Sequence, residues 1–307
     1  MIIIYVGNIC NNDCIMCSVE GEVKDPIDYS ILEKKLIDRA NDTKSVHFTG
    51  GESTEHPRII DLFKKVKELG YEDVSISTNG RNFADKKFTS NLVELGLNHA
   101  SVTIHGPQKV HDEIIGKKGY EQAMEGLNNL VKAGVGIKLD SVLVEKNIDY
   151  IRDMWDEVYD LGVEFIGLAD LIPHNKIKDF DELMINYKRK KDFFYENIDF
   201  FEKVKLFQAV NFPRCILPIK FPENFSNVTQ YDKEVDWSFD GLSNKGGSER
   251  RKKINICKKC PYNKRCYGFR KENIKKFGEE SIKEMLADDN FIKKSKLKSI
   301  RTKTTLN

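Results

Sequence analysis

The stretch that decides the fold is C-N-N-D-C-I-M-C at residues 10–17, which follows the apolar run at residues 2–6. Its cysteines, Cys10, Cys14 and Cys17, have the spacing C-x3-C-x2-C, so three thiolates on one loop can converge on one iron–sulfur cluster. A complete four-iron cluster takes four cysteines, and with three ligands one iron keeps an open position where chemistry can occur. The alternatives are a zinc knuckle and a set of buried thiols. Structural zinc prefers four ligands in close pairs, and no fourth ligand follows Cys17.

Composition limits the classes of function. A chain of 307 residues can form one large α/β domain with an appendage. The formal net charge of +2 argues against a broad nucleic-acid surface. No apolar run reaches membrane-spanning length, and the first run lacks the flanking residues of a signal peptide. Seven cysteines predict metal binding rather than disulfides, in a protein of the cytoplasm.

Short apolar runs alternate with amphipathic helical patterns, which is typical of βα units around a parallel sheet. Helical patterns cover residues 57–69, 120–133 and 149–161, and each is closed by or just before a glycine, a common helix C-cap. We expect six strands, at residues 2–6, 45–49, 73–77, 99–104, 136–144 and 164–169. Six such units predict an α/β fold, a partial (β/α)6 barrel with a small carboxy-terminal iron–sulfur appendage.

The pattern changes after about residue 175. A charged helix is predicted over residues 179–202, then an apolar run at 204–210 and a long loop over 221–249. We place the domain boundary near residue 203. The predicted units are a core at 1–203, a cluster module at 204–285 and a basic tail at 286–307, which is typical of a solvated end.

The second predicted strand ends in F-T-G-G-E, with Gly50, Gly51 and Glu52 at its end. Catalytic residues of parallel α/β folds collect at such strand ends. The glycines would let a ligand approach the backbone closely, and the Glu52 carboxylate can pair with an ammonium group. The alternative is an ordinary strand-to-helix turn with an acidic residue at the helix start.

Together, C-x3-C-x2-C and the later G-G-E resemble the motifs of the radical S-adenosylmethionine (radical SAM) superfamily. The resemblance implies a catalytic [4Fe–4S] cluster on the three amino-terminal cysteines, with SAM bound to its open iron and positioned by the G-G-E segment. It implies reductive cleavage of SAM to a 5′-deoxyadenosyl radical that abstracts a substrate hydrogen atom. An electron donor such as flavodoxin or ferredoxin is then required. One position departs from the family: the usual aromatic residue before the third cysteine is Met16, which is apolar enough to pack on adenine.

The same resemblance assigns further residues at strand ends to SAM or substrate: Ser77, Thr103, His105, Asp140 and Ile172. Ser77 opens S-T-N-G, in which Asn-Gly is also simply a good turn. His105 is left open between SAM, substrate and backbone. Asp140 is costly inside a barrel unless it is paired, so we expect it to contact a ligand, a lysine or water.

A second group of cysteines, Cys257, Cys260 and Cys266, is spaced C-x2-C-x5-C, with Cys215 upstream. Four cysteines fit one zinc site or one fully ligated [4Fe–4S] cluster. The spacing resembles the SPASM and twitch extensions of radical SAM enzymes. Four cysteines are too few for a full SPASM domain and fit the twitch version with one auxiliary cluster. Cys215 is either the fourth ligand or a thiol that donates a hydrogen atom to a substrate radical.

The substrate is left open between classes. Enzymes with such extensions often modify ribosomally made peptides, whereas others act on nucleotides and cofactor precursors. No recognisable leader-binding domain precedes Cys10, although a partner could supply one. We expect maturation of a peptide or protein first and small-molecule or cofactor biosynthesis second. The third hypothesis is a non-catalytic iron–sulfur electron carrier, which has no need for G-G-E or an open iron.

Overall fold

The computed structural model describes residues 1–17, 19, 25–173, 177, 179–218, 225–228, 250–260, 262–264 and 266–287. In this part of the chain, eight parallel strands form one sheet in which each strand pairs with the next along the sequence. The strands are β1 (Ile2–Tyr5), β2 (Ser45–Thr49), β3 (Asp73–Thr78), β4 (His99–Thr103), β5 (Gly136–Leu143), β6 (Phe165–Asp170), β7 (Leu206–Val210) and β8 (Phe225–Val228).

Helices connect the strands in the right sequence order for repeated βα units. They are α1 (Tyr29–Arg39), α2 (Ile59–Glu68), α3 (Lys86–Glu94), α4 (Gln108–Ile115), α5 (Tyr120–Lys132), α6 (Ile151–Asp160), α7 (Phe180–Leu183), α8 (Tyr187–Glu196), α9 (Ile198–Lys203) and α10 (Lys271–Ala287). Short 3₁₀ turns lie at Ser53–Glu55, Arg81–Ala84, Arg214–Ile216 and Asn255–Lys259.

The helices cover one face of the sheet, as strand alternation requires. On β2, Val46 and Phe48 are fully buried, and the ring of Phe48 stacks on Phe63 of α2 at 5.0 Å. The intervening His47 faces the other side and is half-buried. The chain therefore has an apolar outer face under the helices and a more polar inner face inside the curved sheet.

The predicted α/β class with a partial barrel is confirmed, and all six predicted strands are present as β1–β6 within two residues of the predicted bounds. The sheet then continues beyond them. The apolar run at 204–210 supplies β7, which pairs with β6, and β8 pairs with β7 in turn. The sheet thus crosses residue 203, and the division of the chain into units stays a prediction.

The single helix expected over residues 179–202 is wrong, because three helices occupy this segment. Asn186 interrupts it: its backbone is extended, and its side chain accepts a hydrogen bond from the Arg189 amide as the N-cap of α8. Asn197 then separates α8 from α9. Of the predicted loop at 221–249, residues 225–228 form β8. Residues 221–224, 229–249 and 288–307, which include most of the basic tail, lie outside the described residues.

A carboxy-terminal hairpin and helix pack on α8. The hairpin pairs β9 (Arg251–Lys252) with β10 (Phe269–Arg270) in antiparallel orientation. It continues into α10, which is kinked at Gly278 and reaches α8 through a bond from Lys191 Nζ to the Met285 carbonyl oxygen at 2.9 Å. Within the described part of the chain, no helix is both long and apolar enough to cross a membrane.

Candidate active site

The cysteine loop, residues 10–17, leaves the carboxyl end of β1 and is held by backbone hydrogen bonds. The amides of Asp13 and Ile15 donate to the carbonyl oxygens of Ile115 and Ile114, at 2.9 and 3.0 Å. These carbonyls belong to the last turn of α4, where they have no partner inside the helix. The end of α4 thus fixes the loop that carries the first three cysteines.

The three thiols of this loop lie close enough to influence one another. Cys10 and Cys14 are half-buried and Cys17 is exposed. Burial, reinforced by the neighbouring Cys10 and Cys17, raises the pKa of Cys14 to about 12. A thiol in this setting becomes a thiolate when a positive metal centre binds it. The donor set therefore fits an iron–sulfur cluster.

Among the described residues, no three His, Cys, Asp or Glu side chains gather around one point as ligands of a single metal ion. The thiolates of a four-iron cluster instead each bind a different iron, which calls for wider spacing.

Gly50 and Gly51 lie directly against the start of the cysteine loop. A Cβ on Gly51 would lie 2.2 Å from the Ile9 carbonyl oxygen, and one on Gly50 would lie 2.5 Å from that of Gly7. The Gly51 amide donates to the Gly7 carbonyl oxygen at 2.8 Å, and the Glu52 amide donates to that of Ile9 at 2.7 Å. The glycines thus permit close approach of the chain's own backbone, and close approach of a ligand stays a prediction.

Glu52 is buried at the end of β2, and its carboxylate accepts four hydrogen bonds. Oε1 accepts from the Thr54 amide, the Thr54 hydroxyl and the Thr78 hydroxyl at 3.1, 2.6 and 2.7 Å, and Oε2 accepts from the Asn79 amide at 2.6 Å. Burial raises the pKa of Glu52 above its usual value, and these donors oppose the rise. Glu52 therefore joins the loops after β2 and β3, and its pairing with an ammonium group stays a prediction.

A polar network that the sequence did not single out extends from Glu52 to the cysteine loop. Asn79 Nδ2 donates to Asn11 Oδ1 at 2.6 Å, and Asn11 Nδ2 donates to Glu55 Oε1 at 2.9 Å. Asn82 donates to the same Glu55 oxygen at 2.7 Å, and Arg81 reaches two oxygens of the loop. The asparagines near the cysteines and in S-T-N-G are the sequence feature from which this network could have been predicted.

The inner face of the sheet carries two polar groups below these loops. His47 bonds to Ser75 and Ser77 through its two ring nitrogens, at 2.8 and 2.9 Å. Asp140 pairs with Lys138 at 2.9 Å and accepts from the hydroxyl of Ser101, a β4 residue, at 2.7 Å. A lysine is one of the partners expected for Asp140. These side chains offer donors and acceptors to a polar molecule inside the barrel.

His105 is buried just after β4 and bonds to the backbone. Its Nδ1 accepts from the Val142 amide at 3.4 Å, and its own amide donates to His111 Nδ1 at 3.1 Å. Burial, with a smaller contribution from His111, lowers the pKa of His105 to about 3. This geometry corresponds to the backbone alternative, and contact with SAM stays a prediction.

The other residues assigned by resemblance lie around the barrel mouth. Thr103 ends β4 and is half-buried, as is Ile172, two residues after β6. Met16 is 7% exposed and packs in a small apolar cluster with Ile114 and Leu171, among others. Met16 thus lies beside the cysteines in an apolar setting, and its contact with adenine stays a prediction.

The second cysteine group is brought together by the fold. Cys215, Cys257, Cys260 and Cys266 line one cavity of about 320 Å³, part of it open to solvent, together with cationic and aromatic side chains. Burial, reinforced by the other three thiols, raises the pKa of Cys215 well above its usual value. Gly268 is needed here, because a Cβ would lie 2.4 Å from a backbone oxygen of β9. Four thiols around one cavity fit a fully ligated cluster.

A buried ionic group joins the barrel to this carboxy-terminal site. Asp170, at the end of β6, pairs with Lys190 of α8 at 2.5 Å and with Arg270 of β10 at 3.4 Å. All three side chains are at most 8% exposed, and Arg251 of β9 is close by. Burial opposes ionisation of Asp170, but the cations outweigh it and hold its pKa below the usual value.

Sequence comparison identifies relatives of the barrel. The chain is 27% identical to a probable GTP 3′,8-cyclase of Sulfurisphaera tokodaii over 59% of its own length and 62% of that protein. It is 30% identical to a probable GTP 3′,8-cyclase of Saccharolobus solfataricus over 61% of its own length and 65% of that protein. The matches therefore span less than two thirds of either relative.

Structural comparison identifies the same fold. Streptococcus suis SuiB bound to S-adenosylmethionine matches with a TM-score of 0.60 and 15% identity, over 89% of this chain and 73% of SuiB. The enzyme anSMEcpe with bound AdoMet matches with a TM-score of 0.55 and 17% identity, over 66% of this chain and 59% of that one. The sequence profile of the Radical SAM superfamily matches residues 4–158, about half of the chain. The chain belongs to the radical SAM superfamily.

Proposed function

We propose that this radical SAM enzyme holds its catalytic [4Fe–4S] cluster on Cys10, Cys14 and Cys17 and positions SAM beside the G-G-E segment. The observation that carries the proposal is the backbone contact between the two motifs. The Gly51 and Glu52 amides donate to the carbonyl oxygens of Gly7 and Ile9, just before the cysteine loop, so the two motifs adjoin at the carboxyl ends of β1 and β2.

When bound, the cluster and SAM supply a 5′-deoxyadenosyl radical that removes a hydrogen atom from the substrate. The chain's own residues hold and orient the reacting groups. The end of α4 and the two glycines fix the cysteine loop, and Glu52 ties the next two strand ends together. Met16 and its apolar neighbours keep water from one side of the loop.

We further propose an auxiliary [4Fe–4S] cluster on Cys215, Cys257, Cys260 and Cys266. The common cavity supports this assignment, as does the raised pKa of Cys215, to which burial contributes most and the other three thiols add. Cys215 is then a ligand rather than a hydrogen-atom donor. Such a cluster accepts or relays an electron, or stabilises a small appendage. Zinc, which the same thiols can bind, is the alternative.

Two substrate classes follow from different observations. The C-x2-C-x5-C module favours modification of a peptide or protein. The curated relatives, probable GTP 3′,8-cyclases, favour a nucleotide or another small molecule of cofactor biosynthesis. The paired polar side chains of the inner face suit either class, because both peptides and nucleotides are rich in hydrogen-bonding groups. A flavodoxin or ferredoxin of the cytoplasm is the proposed electron donor.

The enzyme proposal is tested by anaerobic reconstitution with iron and sulfide, followed by reduction in the presence of SAM. We expect 5′-deoxyadenosine and about eight irons per chain. About four irons with active SAM cleavage would mean that the carboxy-terminal cysteines bind zinc or are free thiols. An intact reduced cluster that cleaves no SAM would favour the electron carrier.

The substrate class is tested with deuterium transfer into 5′-deoxyadenosine. Deuterium from ribose-labelled GTP supports the small-molecule class, and deuterium from a labelled peptide supports the peptide class. Unlabelled 5′-deoxyadenosine from both contradicts both choices of substrate while leaving SAM cleavage established.

A further inference from the structure

Arg81 is the cation that bonds most directly to the cysteine loop. It follows S-T-N-G, in the 3₁₀ turn Arg81–Ala84 after β3. Its Nη1 donates to the Asn11 carbonyl oxygen at 2.8 Å and to Asn12 Oδ1 at 2.7 Å, and its Nε donates to Gln122 at 2.8 Å. One guanidinium thus fixes two successive residues between the first and second cysteines.

Asn12 connects Arg81 to a cysteine sulfur. Asn12 is only 5% exposed, and its backbone amide donates to Cys10 Sγ at 3.4 Å. The guanidinium therefore holds the residue whose amide bonds to the sulfur. Hydrogen bonds to ligand sulfurs and nearby charge are two of the factors that set the reduction potential of an iron–sulfur cluster.

The charge of Arg81 is less compensated than that of the other cation on this loop. Lys117 pairs with Asp13 at 3.0 Å, and both side chains are at least 41% exposed. The acceptors of Arg81 are a carbonyl and two amide oxygens, and within the described residues no carboxylate pairs with it. A partly buried cation bonded to neutral acceptors is screened less than an exposed ion pair.

We propose that Arg81 is a positioning residue of the catalytic cluster: it fixes the cysteine loop through Asn11 and Asn12, and its charge favours the reduced cluster. The inference rests on the proposed cluster at Cys10, Cys14 and Cys17. An added electron makes the cluster more negative, so a nearby cation stabilises the reduced state and raises the midpoint potential. The electron comes from the external donor, and Arg81 changes only how readily it is accepted.

The test is a potentiometric titration of the reconstituted full-length protein, followed by electron paramagnetic resonance (EPR). The catalytic cluster is identified by the change in its signal when SAM binds. In Arg81→Gln, we expect the ratio of reduced to oxidised cluster at a fixed potential to fall about tenfold, a shift of about 59 mV to more negative potential for one electron. Arg81→Lys keeps the charge and should retain the wild-type potential.

Arg58→Gln is the matched control, because it removes the same charge from a guanidinium that pairs with Asp61. It should leave the potential unchanged. An unshifted Arg81→Gln overturns the inference, as does an equal shift in Arg81→Lys or Arg58→Gln. A wild-type signal that does not respond to SAM overturns the proposed function as well, so the two failures are distinct.

If Arg81→Gln takes up no iron, the positioning role is tested with Arg81→Ala. We expect millimolar guanidinium to restore iron uptake at the first site, whereas the same concentration of sodium does not. Absence of rescue contradicts the proposal, because a bound guanidinium would replace both hydrogen bonds and charge.

Discussion

The two cysteine sites of this protein are built in different ways. The amino-terminal site puts three thiols on one eight-residue loop, with Cys17 exposed. The carboxy-terminal site takes one thiol from the turn after β7 and three from the segment between β9 and β10, and all four line one cavity. The first is local in sequence and has an exposed thiol, whereas the second depends on tertiary packing, which gathers four thiols around a cavity that is partly open to solvent. Three thiols leave one iron of a cluster open for SAM, whereas four suit a fully ligated cluster for electron transfer or structure.

The largest expected difference between the two sites is in SAM cleavage after each site loses one cysteine ligand. We expect Cys14→Ala to abolish SAM cleavage and leave about four irons per chain. Cys257→Ala should also leave about four irons but retain SAM cleavage in the absence of substrate. Iron analysis and 5′-deoxyadenosine assays give both values. Loss of SAM cleavage in both variants would show that the sites do not act separately.

Replacement of Cys215 tests whether the carboxy-terminal site has four ligands. If Cys215 is a ligand, Cys215→Ala lowers the iron content toward about four per chain. If Cys215 is instead a hydrogen-atom donor, Cys215→Ala leaves the iron content unchanged and stops only product formation. Iron counts on the variant distinguish these roles, and a full complement of iron would contradict the four-ligand assignment.

Replacement of Asp170 tests how far the carboxy-terminal site depends on tertiary packing. Asp170→Asn leaves Lys190 and Arg270 buried without a carboxylate, so we expect a loss of about 3–5 kcal/mol in the free energy of unfolding. Asp199→Asn, in a pair with Arg152 in which the Asp199 side chain is 67% exposed, is the control and should cost less than about 1 kcal/mol. Urea unfolding measures both. Equal effects would refute the structural importance of the buried group.

His105, just before α4, and His111, within α4, make the barrel sensitive to acid. Burial lowers their folded-state pKa values to about 3 and about 4, from 6.5. The unfolded chain therefore binds more protons below pH 6.5, so their contribution to stability is complete above pH 6.5 and is lost as the pH falls toward 4. Each histidine contributes up to about 1.4 kcal/mol per pH unit to the change of the free energy of unfolding with pH. Urea unfolding of His105→Gln between pH 7 and 4 should show a shallower dependence of the free energy of unfolding on pH than the wild-type protein.

Much of the barrel was predictable because its signals are short-range. Strand alternation and helix patterns gave β1–β6, and G-G-E and the cysteine spacing placed the first site at the strand ends. Capping was harder to predict. Asn186 and Asn197 divide a segment that is continuous in charge and helix propensity, and their effect depends on local backbone geometry.

The sequence by itself determined the family motifs, the parallel order of the strands and the loop that carries Cys10, Cys14 and Cys17. Only the tertiary structure decided what those motifs touch. Gly51 faces the backbone oxygen of Ile9, just before the cysteine loop, and Glu52 is surrounded by hydroxyl and amide donors. Arg81 meets a loop 69 residues away at Asn12. Periodicity and spacing report neighbours along the chain, whereas hydrogen bonds between strand ends and the gathering of distant thiols depend on how the sheet brings separate segments together.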